Sequence, residues 1–80
     1  MKYENEIRKI INKIIDVTES IDEVQIDRDL REIGLTSLTF VNLIIELEDF
    51  FDISFPNEKF TMTESGTIKA LCETVALLEE

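Results

Sequence analysis

The chain has no histidine, one cysteine (Cys72), one proline (Pro56) and two glycines (Gly34 and Gly66) in 80 residues. Without histidine there is no Ser-His-Asp triad, no His-ligated zinc and no ordinary general base near neutral pH. A single cysteine makes no intramolecular disulfide. No run of 18 apolar residues occurs, so nothing reads as a transmembrane helix. The opening residues, Met1, Lys2, Tyr3, Glu4, Asn5 and Glu6, are too polar for a secretory signal, which predicts a cytoplasmic protein. Basic residues are scarce, 8 against 18 acidic, for a net charge of −10. That balance disfavours nucleic acid and membranes as partners, because their phosphates would be repelled. It suits proteins with basic patches, and it equally suits plain solubility. Carboxylates alone could still hold a metal. Asp27 and Asp29 match the start of a calcium loop, but Arg31 and Glu32 fill the third-ligand and turn-glycine positions, so no metal site is expected.

What is present fits one small domain over residues 1–80. The apolar content of 44% is enough for one core and argues against disorder. Tyr3, Ile7, Ile10, Ile11 and Ile14 recur at helical spacing, so residues 3–16 are predicted as a helix that faces the core. Thr18, Glu19 and Ser20 end it. Residues 18–36 then form a long connection carrying Ile21, Val24, Ile26, Leu30, Ile33 and Leu35. Those side chains must dock on the helices, and a short helical turn is expected within residues 27–32.

Gly34 frees the backbone, Ser37 follows three residues later, and a second helix is predicted over residues 37–51. The Ser37 hydroxyl therefore lies at a helix N-terminus, where unpaired N–H groups and the dipole favour a phosphate ester. Thr39, Asn42, Glu46 and Asp49 make one polar strip. The apolar arc around them is wider than one core face needs. Leu38, Val41 and Ile45 continue a line from Ser37 and are either core or a partner-docking stripe. Glu46, Glu48, Asp49 and Asp52 crowd the helix C-terminus against the dipole, either as a lure for a basic partner or as a solvated face.

Residues 51–55 read as an extended connector, because no second strand is available for pairing. Pro56 suits the first turn of a short helix over residues 56–61, anchored by Phe60 or Met62. Residues 63–66 read as loop. A last helix over residues 67–78 starts with Thr67 as its N-cap. Its stripe of Ile68, Leu71, Cys72, Val75 and Leu78 makes Cys72 a buried, inert thiol. Glu79 and Glu80 are expected to fray. The fold class is thus all-α: a small four-helix bundle, three longer helices plus one short, with a long first loop.

The segment Asp29-Leu30-Arg31-Glu32-Ile33-Gly34-Leu35-Thr36-Ser37-Leu38 resembles the signature of acyl and peptidyl carrier proteins, roughly Leu-x-x-Leu-Gly-x-Asp-Ser-Leu. The element order follows that family over nearly the whole chain. The resemblance implies an acyl-carrier-like bundle with 4′-phosphopantetheine, from coenzyme A, attached to Ser37. Its thiol would hold acyl or aminoacyl thioesters for fatty-acid, polyketide or nonribosomal-peptide-type biosynthesis. It implies as partners a phosphopantetheinyl transferase, acyl- or aminoacyl-activating enzymes and downstream biosynthetic enzymes. On this reading the chain is no enzyme and works as a monomer. Beginning at Met1 with no linker composition, it is expected to stand alone. Partner contacts fall on Thr36, Leu38, Val41, Ile45, Glu46 and Asp49.

Three features depart from the family. Thr36 replaces the Asp that lies near the metal-dependent transfer chemistry. Thr39 and Asn42 stand where fatty-acid members often carry acids, which shifts recognition toward Leu38, Val41 and Ile45. The stretch between Phe60 and Thr67 runs about two residues long. Two other classes compete: an unmodified carrier-like protein-binding module, and an enzyme. The enzyme lacks a base for Ser37, and 80 residues hardly supply a substrate cleft.

Overall fold

A computed structural model describes residues 1–17 and 19–79. Among the described residues there are four α-helices and no strand: α1 (Glu4–Ile14), α2 (Ser37–Phe51), α3 (Met62–Ser65) and α4 (Ile68–Glu79). The all-α bundle with a long first loop is the architecture that the apolar spacing predicts.

α1 starts after Tyr3, which sits in the left-handed region at φ 67°. Glu4 and Glu6 lie in its first turn and Lys13 in its last, both favourable for the dipole. It is shorter than the predicted 3–16, because Ile15 is already extended at φ −108°, ψ 137°. Of the residues expected to end this helix, Thr18 lies outside the described residues. Ile7, Ile10 and Ile11 are buried as the stripe required. They meet Phe40, Leu43, Ile44 and Leu47 of α2, and Ile68, Leu71, Cys72 and Val75 of α4, in one core.

The long connection is organised rather than loose. It holds two 3₁₀ turns, Ile21–Glu23 and Leu30–Ile33, so the second begins later than the expected 27–32. Asp29 caps that second turn by accepting from the Arg31 N–H, which delays helical geometry until Leu30. Ile21, Val24, Leu30, Ile33 and Leu35 are all buried. Two backbone bonds stitch the loop to the far end of the chain: Leu30 N–H to Gly66 O at 2.8 Å, and Lys69 N–H to Ile26 O at 2.8 Å.

Arg8 supplies a third tie. It lies off the apolar stripe of α1, yet its side chain is only 11% exposed. Its Nη1 donates to the Ile21 and Val24 carbonyls, while Nε donates to Glu4 at 2.8 Å. Two loop carbonyls that water would otherwise have to reach are thereby satisfied.

The third helix differs from its prediction. Residues 56–61 hold only a 3₁₀ turn, Asn57–Lys59, and the short α-helix is Met62–Ser65, inside the stretch expected to be loop. Thr61 explains the shift, since its side chain accepts from the Glu64 N–H at 3.2 Å and so restarts the helix at Met62. The buried Ser65 hydroxyl donates to the Lys59 carbonyl and fastens the end of α3 back onto that turn. Both proposed anchors serve: Phe60 sets its ring edgewise on Phe40 at 5.9 Å, and Met62 packs partly buried on the core. α4 begins at Ile68 with Thr67 as its cap, through Ala70 N–H to Thr67 Oγ1 at 3.0 Å. Glu79 is helical rather than frayed, and Glu80 lies outside the described residues. Cys72 is buried, and burial pushes its thiol pKa up, as expected of an inert cysteine.

Candidate functional site

The site is the junction where the long loop becomes α2. Gly34 terminates the second 3₁₀ turn at φ 127°, a conformation that side-chain-bearing residues rarely adopt. It also lies tight against the end of α1. A Cβ there would sit 3.0 Å from the Asp16 carbonyl oxygen and 3.1 Å from an Ile15 methyl. Leu35 then plugs into the core, and Leu35 N–H bonds back to Leu30 O at 3.0 Å. The next residue, Thr36, is released at the surface in an extended conformation.

Thr36 and Thr39 form a reciprocal capping box. Thr39 N–H donates to Thr36 Oγ1 at 3.2 Å, and Thr36 N–H donates to Thr39 Oγ1 at 2.8 Å. Phe40 N–H makes the first helical bond to Thr36 O at 2.8 Å. The box leaves the Ser37 and Leu38 N–H groups as the open donors of the helix start. Ser37 is the first helical residue and is exposed. Among the described residues, none hydrogen-bonds its hydroxyl.

This geometry has a definite chemical meaning. A hydroxyl without a base is not an activated nucleophile. It is an accessible acceptor for a group delivered by another protein, at a helix start that favours a phosphodiester. The residues present fit a covalent phosphate ester: one exposed alcohol, two open N–H donors and a neutral cap.

α2 carries the surface around that point. Leu38 is 73% exposed, Val41 39% and Ile45 53%, so these three are not core. The buried set is Phe40, Leu43, Ile44 and Leu47, on the opposite side of the same helix. Asn42 and Asp49 are exposed on the outer side, as the polar strip required, whereas Thr39 is half-buried in the capping box. Glu46 turns toward α1, where Lys13 Nζ reaches it at 3.2 Å.

Two features went unseen in the sequence. Glu48 reads as one more acid in the crowd, but its carboxylate accepts from the Phe55 N–H at 2.8 Å and pins the connector. Phe50, one of the apolar residues of α2, is 60% exposed and stacks edgewise on Phe51 at 4.8 Å. Phe50 follows the buried Leu47 by three residues and Leu43 by seven, which is core spacing, so periodicity gave no sign of its exposure. Nothing in the sequence marks the Glu48 contact.

The family model for the phosphopantetheine attachment site matches residues 5–75. The chain belongs to the phosphopantetheine-binding carrier family. This carrier is 33% identical to the aminoacyl carrier protein of Agrobacterium fabrum over 72 residues, 90% of this chain and 87% of that one. It is 35% identical to the D-alanyl carrier protein of Streptococcus mutans over 81 aligned positions, 98% of this chain and 96% of that one. Its fold is similar to a chain in the crystal structure of an engineered Bradyrhizobium japonicum glycine:[carrier protein] ligase complexed with carrier protein from Agrobacterium tumefaciens and ATP. There the TM-score is 0.85 at 32% identity, covering 94% of this chain and 97% of the other. The carrier's cofactor is accordingly 4′-phosphopantetheine, covalently attached.

Proposed function

We propose that Ser37 is the attachment point and that the carrier presents aminoacyl groups to enzymes acting in sequence. One observation carries the assignment: Ser37 is an exposed alcohol, hydrogen-bonded by none of the described residues, at the first residue of α2, within the segment that resembles the family signature. When bound, the cofactor supplies a thiol that holds the cargo as a thioester. The chain itself makes no bonds. Its part is to keep Ser37 accessible and to fix the helix start. A hydroxyl with no internal base needs none if the transferase activates it.

The aminoacyl cargo is supported by similarity to proteins named aminoacyl and D-alanyl carriers. A partner that activates an amino acid is supported by the glycine:[carrier protein] ligase complex. The other partners are a phosphopantetheinyl transferase and downstream biosynthetic enzymes. They meet the carrier on α2 beside Ser37, at Leu38, Val41 and Ile45. A monomer accords with the net charge of −10, which opposes self-association.

A second reading, an unmodified protein-binding module, is favoured by one feature. Thr36 replaces the family's Asp, and its hydroxyl is turned into the capping box. Incubation with coenzyme A, magnesium and a broad-specificity transferase separates the two. The carrier reading requires a phosphopantetheine on the peptide that contains Ser37, seen by its characteristic loss in tandem mass spectrometry. An unmodified peptide from a folded chain supports the module.

A further inference from the structure

Among the described residues none hydrogen-bonds the Ser37 hydroxyl, so whatever fixes its direction acts through its chain neighbours. Upstream, Leu35 is 4% exposed and its N–H is tied to Leu30 O at 3.0 Å. Downstream, one side chain grips the exposed Thr36 at every polar group it has. Thr36 N–H donates to Thr39 Oγ1 at 2.8 Å. Thr36 O lies 3.2 Å from that same hydroxyl, and the two hydroxyl oxygens are 3.0 Å apart. Thr39 N–H donates back to Thr36 Oγ1 at 3.2 Å. The single Thr39 hydroxyl proton goes either to the Thr36 carbonyl or to its hydroxyl, and in both arrangements Thr39 Oγ1 still accepts the Thr36 N–H. Phe40, the next residue, is buried, so the grip stands on a fixed base.

This takes Thr39 out of the polar strip in which its spacing places it. Asn42 and Asp49 of that strip face outward, whereas Thr39 is half-buried and spends its hydroxyl on Thr36. Ser37 is thus suspended between a plug in the core and a clamp, with its own side chain left clear.

Resting on the assignment of Ser37, we propose that Thr39 is a positioning residue for the transfer of phosphopantetheine: acting through Thr36, its hydroxyl holds the Ser37 alcohol in line with the phosphorus it attacks. In that transfer the Ser37 oxygen bonds to the coenzyme A phosphorus that carries pantetheine. The bond from that phosphorus to the bridging pyrophosphate oxygen breaks, and adenosine 3′,5′-bisphosphate leaves. The serine proton passes to a base of the transferase, since no base of this chain contacts Ser37. The displacement depends on alignment, and a misplacement of about 1 Å can cost on the order of a hundredfold in rate. Thr39 touches none of the reacting atoms. It keeps the exposed start of α2 from opening, so the acceptor arrives already placed.

The test uses the full chain, coenzyme A, magnesium and a broad-specificity phosphopantetheinyl transferase. Single-turnover rates at saturating carrier report the transfer itself, and KM for the carrier is measured beside them. Thr39→Val keeps the branched shape and removes only the hydroxyl. Its rate should fall about fivefold or more, with KM within about twofold of the parent. Thr39→Ser returns the hydroxyl and should restore the rate to within about twofold. Because the two threonines act as one clamp, Thr36→Ala combined with Thr39→Val should be no more than about twofold slower than the slower single variant. Arg8→Ala loosens the first loop away from the clamp and should leave the rate within about twofold. Circular dichroism confirms that each variant folds. A Thr39→Val rate within twofold of the parent, an equal fall in Thr39→Ser, or an effect carried by KM alone overturns the positioning role and leaves Ser37 as the site. An Arg8→Ala chain as slow as Thr39→Val reduces the effect to general destabilisation and overturns it too. A folded parent chain that takes no phosphopantetheine overturns the assignment of Ser37 as well.

Discussion

Replacing Arg8 with alanine tests how the long first loop is held. Its guanidinium bridges three acceptors on two segments: Glu4 on α1, and the Ile21 and Val24 carbonyls in the loop. The side chain is 11% exposed, so solvent screening weakens these bonds little. Truncation strands two partly buried carbonyls, at roughly 1 kcal/mol each, and removes the packing of a long stem, worth about another 1 kcal/mol. The expected loss is about 2–4 kcal/mol, against a total for a chain of this size of about 4–12 kcal/mol. With a urea slope near 1 kcal/mol per M, the midpoint should fall by about 2 M or more. Arg8→Lys should lose roughly half as much, because one ammonium cannot span all three acceptors. Lys9→Ala, an exposed neighbour, serves as control and should stay within about 0.5 kcal/mol. Urea denaturation followed at 222 nm measures all three variants. An Arg8→Ala midpoint indistinguishable from the control would refute the claim that Arg8 holds the loop.

Further outcomes follow from the same contacts. Gly66→Ala would place a methyl 2.2 Å from the Met62 carbonyl oxygen, and thermal melts should show a loss of about 1–3 kcal/mol. Gly34→Ala should lose a similar amount, about 1–3 kcal/mol, through its positive φ and the Asp16 contact. The Met1 amine and Arg8 hold the Glu4 carboxyl below its ordinary 4.5. Its contribution is therefore present above the unfolded value and fades as pH falls through the lower folded one. Glu4→Gln should be less stable than the parent at pH 7, and the gap should close in acid titrations of stability. Thr36→Ala should cost about 1 kcal/mol through loss of the cap, whereas Thr36→Asp should match or exceed the parent by a few tenths of a kcal/mol, read from melting curves.

Elements with strong periodicity were legible in the sequence. The bounds of α2 fall at Ser37 and Phe51 as spacing alone indicated, because Thr36 caps one end and Asp52 turns left-handed at the other. Ser37 was legible for the same reason, since a glycine followed by a capped apolar run fixes where a helix starts. The short third helix was not, because Pro56 is a visible start signal while Thr61, the working cap, is one threonine among several in that stretch. The roles of Arg8 and Glu48 were hidden in another way. Arg8 lies off the apolar stripe of α1 and Glu48 off the polar strip of α2, and both reach backbone groups outside their own helix. Whether Leu38, Val41 and Ile45 were core or surface was undecidable from a helix that is apolar on most sides. It was settled only by where α1 and the loop pack.

The most direct test of the carrier assignment is intact mass. The chain and its Ser37→Ala variant would each be incubated with coenzyme A, magnesium and a phosphopantetheinyl transferase, with circular dichroism confirming the fold of both. The account predicts a gain of one phosphopantetheine in the parent and none in the variant. An unchanged parent mass, or an equal gain in the Ser37→Ala variant, would contradict it.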